Sequence, residues 1–242
     1  MSESVLYITG AGVSAESGIP TFRGEDGYWT IGSENYAPQE MATRQMYATR
    51  PVEFLKWYYT RFVAYRHHGP NDVHRWLANK NLITQNIDGL DGKAGNQNYI
   101  PIHGRIDKMT LFHRQGEPVR IIDAPWDTVD ESNLEASLLE LFRIESRPKL
   151  DHSYKPFVLL FDEYYTDLYR MREAEKRMML ADRIVFMGTS FSVNITAIAL
   201  RYAAMSDVPV EVVDPNPVQI PYSGVTYHPM TAAAYVAMQG DG

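Results

Sequence analysis

Val5-Leu-Tyr-Ile-Thr-Gly-Ala-Gly-Val-Ser-Ala-Glu-Ser-Gly-Ile-Pro-Thr-Phe-Arg23 is the stretch of this chain that decides its fold. The run begins with four apolar residues, which predict a short buried strand. Gly10, Gly12 and Ala15 then match the G-x-G-x-x-G/A pattern of a dinucleotide-binding turn. Two glycines allow close approach to a pyrophosphate, and a small third residue lets the next helix pack on the strand. An ordinary glycine turn between a strand and a helix fits the same pattern.

Apolar runs bounded by turn residues recur along the chain, with helical patterns between them. The runs predicted as strands are Val5–Ile8, Leu82–Thr84, Tyr99–Ile102, Phe157–Phe161, Ile184–Met187 and Val208–Val213. The helical patterns are Ser14–Gly18, Asn71–Asn79, Tyr164–Leu180 and Ile195–Met205. Near-continuous apolar strands are typical of parallel sheets covered on both faces. The alternation therefore predicts an α/β fold with a Rossmann-like, doubly wound parallel sheet.

Two segments interrupt this alternation. Residues 25–70 are rich in aromatic side chains and favour helices, most clearly at Pro51–Tyr58. Residues 105–155 combine a hairpin-like start at Lys108–Ile122 with an amphipathic helix at Ser132–Phe142. We therefore expect one domain over 1–242, with a smaller part inserted into a larger one. The large part comprises approximately 1–24, 71–104 and 155–242, and the small part approximately 25–70 and 105–154.

Composition excludes several classes of function. The 242 residues carry a net charge of −7, with no compensating basic block, which argues against nucleic-acid binding. No apolar run is long enough to cross a bilayer, and the first predicted strand leaves no room for a signal or transit peptide. We therefore expect a cytoplasmic protein that binds no membrane. The absence of cysteine excludes disulfides, thiolate catalysis and an all-cysteine zinc site. No feature indicates an oligomeric state.

Four motifs in order resemble those of the sirtuin (Sir2-like) family of NAD-dependent protein lysine deacylases. They are Gly10-Ala-Gly-x-Ser-x-x-Ser-Gly-Ile-Pro-x-Phe-Arg23, Thr84-Gln-Asn-Ile-Asp-Gly-Leu90 with Ala94-Gly95, His103-Gly104, and Gly188-Thr-Ser190. The resemblance runs from about residue 5 to residue 215. It implies NAD as the cofactor, an acyl-lysine protein or peptide as the substrate, and nicotinamide and O-acyl-ADP-ribose as the products.

The resemblance also implies roles for individual residues. His103 would be the catalytic base, Asn86 would bind the ribose and a water, and Asp88 would bind the nicotinamide carboxamide. His103 follows a predicted strand, where α/β sheets place ligands, and a pKa near neutrality suits removal of a ribose proton. The residues implied to bind NAD are Gly10, Ala11, Gly12, Ala15, Phe22, Arg23, Gln85, Asn86, Asp88, Gly188, Thr189, Ser190 and Asp214. For Asp214, a turn before Pro215 is the alternative interpretation.

The chain also departs from the family's pattern. Most sirtuins carry a zinc ribbon, but here the corresponding segment offers only His113 and His152 with scattered carboxylates, so we expect a zinc-free remnant and no metal site. Asp91 stands where the family commonly has His. Asp162 replaces a glycine close to Val158 and Phe161, which the resemblance implies bind the substrate. A side chain at Asp162 would crowd or redirect a bound peptide.

Tyr58 and Arg61 lie where class III sirtuins carry Tyr-x-x-Arg. In a helix these two residues face the same side. A phenol and a guanidinium at the end of the acyl tunnel would pair with a carboxylate-tipped acyl group such as succinyl or malonyl. An amphipathic helix with a buried Tyr58 and an exposed Arg61 gives the same spacing.

These observations favour an NAD-dependent lysine deacylase that removes acetyl or acidic acyl groups. An NAD glycohydrolase and an ADP-ribosyltransferase use the same site with another nucleophile, and Asp162 mildly favours the glycohydrolase. A catalytically silent NAD-binding module is a further alternative. The presence of Asn86, Asp88 and His103 argues against it.

Overall fold

Two β-sheets organise the residues that this computed structural model describes, 3–21 and 37–240. The larger sheet is parallel, with the strand order β3-β2-β1-β7-β8-β9, and the smaller is antiparallel, with the order β5-β4-β6. The strands are β1 (Val5–Thr9), β2 (Asn81–Thr84), β3 (Ile100–Pro101), β4 (Gly104–Leu111), β5 (Ile121–Asp123), β6 (Tyr154–Val158), β7 (Arg183–Met187), β8 (Val210–Val213) and β9 (Val225–His228). The predicted α/β fold with a parallel sheet is confirmed.

Helices cover both faces of the parallel sheet. The α-helices of the described ranges are α1 (Pro38–Met41), α2 (Arg44–Thr49), α3 (Pro51–Tyr65), α4 (Asp72–Trp76), α5 (Leu90–Lys93), α6 (Leu134–Leu141), α7 (Met171–Met179), α8 (Asn194–Ser206) and α9 (Ala232–Gln239). Leu6 and Ile8 of β1 point into one apolar core with α7 and α8, whereas Tyr7 points into the other with α4 and α9. This alternation buries the central strands on both faces.

The main differences between the predicted elements and the structure lie in three regions. The run Phe157–Phe161 was expected as a strand, but β6 lies at Tyr154–Val158 and pairs antiparallel with β4. The helix expected over Tyr164–Leu180 begins only at Met171, because Arg170 adopts a left-handed φ of 58° after a short 3₁₀ turn. Strand β9 and helix α9 had no prediction. Strand β9 is a partly exposed edge strand with only four residues, so it lacks a continuous apolar run.

The antiparallel sheet and helices α2, α3 and α6 share a separate apolar core. Trp126 is fully buried there, and its indole N–H donates to the carbonyl of Ile106 at 2.7 Å. Leu138 and Phe142 of the α6 segment are fully buried beside it. Ile121 of β5 lies outside this core and is 40% exposed. Strand β5 has only three residues and covers one edge, which leaves Ile121 facing solvent.

A buried ion cluster joins this core to the segment that follows β6. Glu163 accepts from Lys155 Nζ at 3.2 Å, from Arg44 Nη1 at 2.8 Å and from the Leu160 N–H at 3.0 Å. Lys155 and Glu163 are almost completely buried. Removing either charge would leave the other unpaired in the interior, which is strongly destabilising. Helix α2 and strand β6 are therefore held together by electrostatics as well as by packing.

Neither sheet contains a metal-binding cluster in the described part of the chain. Residues 3–21 and 37–240 hold no group of three or more His, Asp or Glu side chains placed to bind a metal ion. No helix in those ranges is both long enough and apolar enough to cross a membrane. The division into large and small parts at the expected boundaries stays a prediction.

Candidate active site

The glycine-rich turn lies where β1 and β7 are neighbours, at the point where the strand order reverses. Gly10 N–H donates to the Met187 carbonyl at 3.0 Å, and Gly12 N–H donates to the Gly188 carbonyl at 2.9 Å. A Cβ on Gly12 would lie 2.6 Å from Gly188 Cα, and Gly188 itself has a φ of 57°. These glycines are required because two backbone segments touch here. Ligands of open α/β sheets bind at such a switch point.

The segment after this turn differs in detail from expectation. Residues Ala11–Ser17 form a 3₁₀-helix that begins before the expected Ser14. Ala15 is exposed, so its small size is not needed for packing between helix and strand, as the pattern had suggested. The roles of Ala11 and Ala15 in cofactor binding stay predictions. Phe22 and Arg23 lie outside the described residues.

Gln85 and Asn86 follow β2 and point toward this glycine junction. Asn86 Nδ2 donates to the Gly10 carbonyl at 3.0 Å and to Ser14 Oγ at 3.1 Å. Gln85 Nε2 donates to Thr189 Oγ1 at 3.0 Å, across the sheet. Both amides are buried, and Asn86 Oδ1 has no hydrogen-bond partner within the described ranges. An orphaned buried acceptor of this kind is suited to a ligand's hydroxyl or a bound water.

Asp88 is oriented by two donors on the same side of the sheet. Its Oδ2 accepts from Ser14 Oγ at 2.7 Å, and its Oδ1 accepts from the Leu90 N–H at 2.9 Å. Ser14 thus links Asp88 to Asn86, since its Oγ also accepts from Asn86 Nδ2. The structure brings together the amide and carboxylate that the sequence assigned to one site.

His103 lies at the end of β3, and both of its ring nitrogens are engaged. Nδ1 is 3.0 Å from the Gln85 carbonyl oxygen, and Nε2 is 2.9 Å from the Tyr165 hydroxyl. A carbonyl only accepts, so Nδ1 carries the proton and Nε2 has the free lone pair. The following Gly104 has a φ of 82°, and a Cβ there would collide with the Phe157 carbonyl. The His-Gly pair therefore follows from how β4 meets β6.

Burial lowers the pKa of His103 to about 4, against a smaller opposing effect of the Gln85 carbonyl. The near-neutral pKa expected from the sequence is therefore wrong. The physical reason is loss of solvation, which disfavours the charged imidazolium. At neutral pH the ring is uncharged, with Nε2 able to accept a proton.

Two buried polar side chains of this region were missed by sequence reasoning. His74 of α4 is fully buried, with Nδ1 3.0 Å from Asn71 Oδ1 and Nε2 3.4 Å from Ser14 Oγ. Burial lowers its pKa, although the Asp88 carboxylate opposes that effect. Ser14 stands inside the first quoted motif, which was a usable signal. His74 stands in a helical pattern that gives no sign of its contact with a residue 60 positions away.

Asp91, which stands where the family commonly has His, lies beneath the same site. It is 1% exposed, and burial, reinforced by the neighbouring Asp88 charge, raises its pKa to about 7. One of its carboxylate oxygens has no hydrogen-bond partner in the described part of the chain. The neutral acid is therefore the form that this position stabilises.

The remaining residues predicted for the cofactor lie at the ends of β7 and β8. Thr189 contacts Gln85, as described above, and Ser190 Oγ is 2.7 Å from Ser192 Oγ. Asp214 Oδ1 accepts from the Asn216 N–H at 2.9 Å, which is the geometry of a side-chain turn. The turn interpretation of Asp214 is thus present in the structure. Contact of these residues with a ribose stays a prediction.

Tyr58 and Arg61 are both buried in the core that contains α3. Arg61 is 1% exposed, its Nη1 donates to the Trp57 carbonyl at 2.8 Å, and its guanidinium lies 3.4 Å from the centre of the Trp57 ring. The alternative of an exposed Arg61 on an amphipathic helix is therefore wrong. A buried guanidinium is costly unless it is paired, so this position has a structural or functional reason to be charged.

Asp162 lies at the N-terminus of α2. Its Oδ1 accepts from the Arg44 N–H at 2.7 Å, and its Oδ2 accepts from the Gln45 N–H at 3.2 Å. The preceding Phe161 is half-exposed and donates its N–H to the Ala42 carbonyl at 2.9 Å. The Asp162 carboxylate thus accepts two N–H groups in the first turn of α2, next to the N-cap residue Thr43, and its effect on a bound peptide stays a prediction. Val158, the other predicted peptide contact, is buried in β6.

A glycine junction lies at the switch point of the parallel sheet, and two amides, a carboxylate and an imidazole lie beside it. This arrangement is typical of a nucleotide-binding α/β enzyme. The sequence model of the Sir2 family matches residues 10–195 of this chain. The chain belongs to the Sir2 family, as the four motifs had indicated.

Relatives agree with this assignment over most of the chain. An NAD-dependent protein deacylase of Aeropyrum pernix is 32% identical over 231 residues, which cover 93% of this chain and 85% of that protein. The mitochondrial NAD-dependent protein deacylase sirtuin-5 of Xenopus tropicalis is 30% identical over 235 residues, covering 86% and 72%. A crystal structure of a Sir2 homologue–NAD complex superposes with a TM-score of 0.73 at 27% identity, over 97% of this chain and 87% of that one.

Proposed function

We propose that this chain is an NAD-dependent protein lysine deacylase. One observation supports this most directly: Gln85, Asn86 and Asp88 converge with His103 beside the Gly10–Gly12–Gly188 junction. Relatives that carry the name of this activity align over most of the chain. The substrate class follows, an acyl-lysine side chain of a protein or peptide.

The site fits NAD. The glycine junction lies at the switch point of the parallel sheet, where α/β folds bind dinucleotides, and the buried Asn86 Oδ1 offers an acceptor that the described protein does not use. Bound NAD supplies a nicotinamide–ribose bond that breaks and lets the acyl oxygen attack. Asp88, oriented by Ser14 and the Leu90 N–H, is placed to accept from a carboxamide N–H. His103 would be the base for the reacting hydroxyl, and Nε2 is the ring nitrogen able to take up a proton.

In the sequence, Asp162 mildly favours the NAD glycohydrolase alternative. The Asp162 carboxylate accepts from two N–H groups at the start of α2, which weakens that argument. Nicotinamide release from NAD, measured with and without an acetyl-lysine peptide, separates the two activities. A deacylase releases nicotinamide in step with loss of the acyl group. Release that is equally fast without peptide would instead identify a glycohydrolase.

We propose further that Tyr58 and Arg61 select acidic acyl groups. A desolvated guanidinium–carboxylate pair contributes about 1.5–3 kcal/mol, or about one to two orders of magnitude in kcat/KM. Succinyl-lysine peptide should therefore be a better substrate than acetyl-lysine peptide. Arg61→Met should remove this preference and keep deacetylation, whereas Arg66→Met, at the partly exposed residue that follows α3, should leave the preference unchanged. The assignment would be refuted if the Arg61 and Arg66 variants showed the same preference for succinyl-lysine over acetyl-lysine peptide.

We propose that the enzyme is zinc-free. The apolar core and the Lys155–Glu163–Arg44 cluster would then stabilise the antiparallel sheet in place of a metal. The cytoplasmic location and the absence of nucleic-acid binding stay predictions from the sequence.

A further inference from the structure

Both ring nitrogens of the candidate base, His103, have a hydrogen-bond partner. His103 Nδ1 donates to the Gln85 carbonyl, so it is not free to take a proton. His103 Nε2 accepts from the Tyr165 hydroxyl at 2.9 Å. In this arrangement, a proton taken up by His103 has to arrive at Nε2, the nitrogen that the phenol already contacts.

Tyr165 is held in place by contacts that do not involve its proton. Its ring lies nearly parallel to the His103 imidazole, with an interplanar angle of 21° and centroids 5.9 Å apart. It packs against the apolar core under α7 and α8. Burial raises the pKa of Tyr165 to about 12, so the phenol carries its proton at neutral pH. Both Tyr165 and His103 keep partial solvent exposure, so a ligand is able to reach the pair.

We propose that Tyr165 relays a proton from the reacting substrate hydroxyl to His103. The inference rests on the proposed function, since it assigns a further residue to the same site. The substrate O–H bond breaks as its proton bonds to the Tyr165 oxygen, and the phenolic O–H bond breaks as that proton bonds to His103 Nε2. The products of this step are a substrate alkoxide, an unchanged phenol and an imidazolium. No oxidation or reduction accompanies it.

The chain offers a matched pair of variants. Tyr165→Phe removes the hydroxyl and keeps the ring that packs against His103. Tyr164→Phe removes the neighbouring hydroxyl, which donates to the Gln115 carbonyl at 3.2 Å on an exposed side chain. Relay by the phenol predicts that Tyr165→Phe lowers kcat for NAD consumption by about a hundredfold, at the lower end of the range of acid–base effects. NAD affinity by calorimetry should stay unchanged, and Tyr164→Phe should match the unmodified protein.

Two readouts separate a relay from a purely structural hydroxyl. Rates in mixtures of H₂O and D₂O should depend nonlinearly on the deuterium fraction in the unmodified protein, because two protons move, and linearly in Tyr165→Phe. In the cofactor-free protein, the ¹⁵N resonance of His103 Nε2 should shift in Tyr165→Phe and not in Tyr164→Phe, since only the first variant loses the hydrogen bond.

Several results would overturn the relay. A Tyr165→Phe protein with unchanged or faster turnover would show that the hydroxyl only covers the base. An unchanged Nε2 resonance would show that the hydrogen bond is absent, without reference to activity. NAD consumption is the rate to follow whether or not peptide is required. Peptide-independent consumption that still depends on Tyr165 would therefore refute the deacylase proposal and keep the relay.

Discussion

Replacing the buried Asp91 by asparagine should make folding stability less dependent on pH. The folded protein holds this carboxyl at a pKa of about 7, against an ordinary value of 3.8, because it is buried and lies near the Asp88 charge. In the unfolded chain Asp91 is ionised above about pH 4. Between pH 4 and pH 7 the folded state therefore binds a proton that the unfolded state has lost. The contribution of Asp91 to the free energy of unfolding therefore falls as the pH rises through that window.

The size of the effect follows from the shift. A shift from 3.8 to about 7 corresponds to about 4 kcal/mol in total, at about 1.4 kcal/mol per pKa unit. Most of it is lost between pH 5 and pH 8, where we expect about 3 kcal/mol less stability from this group. The side chain is almost completely buried, so solvent screening does not reduce this value much. The asparagine side chain of the variant is neutral at every pH, so the variant should keep that stability.

Urea unfolding at pH 5, 6, 7 and 8 measures this effect. The difference in free energy of unfolding between Asp91→Asn and the unmodified protein should grow toward high pH by about 3 kcal/mol. Titrating groups that do not interact with Asp91 cancel in that difference. Asp72→Asn is the control, since Asp72 is exposed on α4 and its removal should give curves parallel to those of the unmodified protein. Parallel curves for Asp91→Asn as well would refute the reasoning.

Three further predictions concern the site and its support. His103→Ala should abolish NAD consumption and keep NAD binding, as measured by calorimetry. In the unmodified enzyme, kcat/KM should decrease as the pH is lowered through about 4 instead of through 6.5, because the neutral imidazole is the active form and its pKa is about 4. Asp162→Ala should cost about 1 kcal/mol in urea unfolding by removing two hydrogen bonds to the first turn of α2, and should raise KM for peptide more than KM for NAD. If Asp162→Ala lowered the free energy of unfolding by less than Asp72→Ala does, this role of Asp162 would be contradicted. Chelators should leave Tm unchanged, and one tightly bound metal per chain by elemental analysis would contradict the zinc-free assignment.

The sequence alone determined the parallel sheet and indicated which residues gather at its switch point. Strands β1, β2, β7 and β8 lie close to the predicted runs, because strands buried on both faces must be continuously apolar. The glycine turn was predicted from its G-x-G-x-x-A pattern as a place of close approach to a pyrophosphate, and the structure adds a close contact between Gly12 and Gly188. Placing polar residues after such strands was enough to gather Asn86 and His103 at one edge of the sheet.

The tertiary structure decided what depends on distant partners. The apolar run before Phe161 did not show that β6 would pair with β4, because strand pairing is set by neighbours far away in sequence. The contact of His103 with Tyr165 joins residues 62 positions apart. The pKa values of His103 and Asp91 depart from their ordinary values because of burial, and burial is a property of packing, not of residue type. The sequence indicated the candidate reacting groups. Only the packed structure determined which of them are neutral and which atom each one faces.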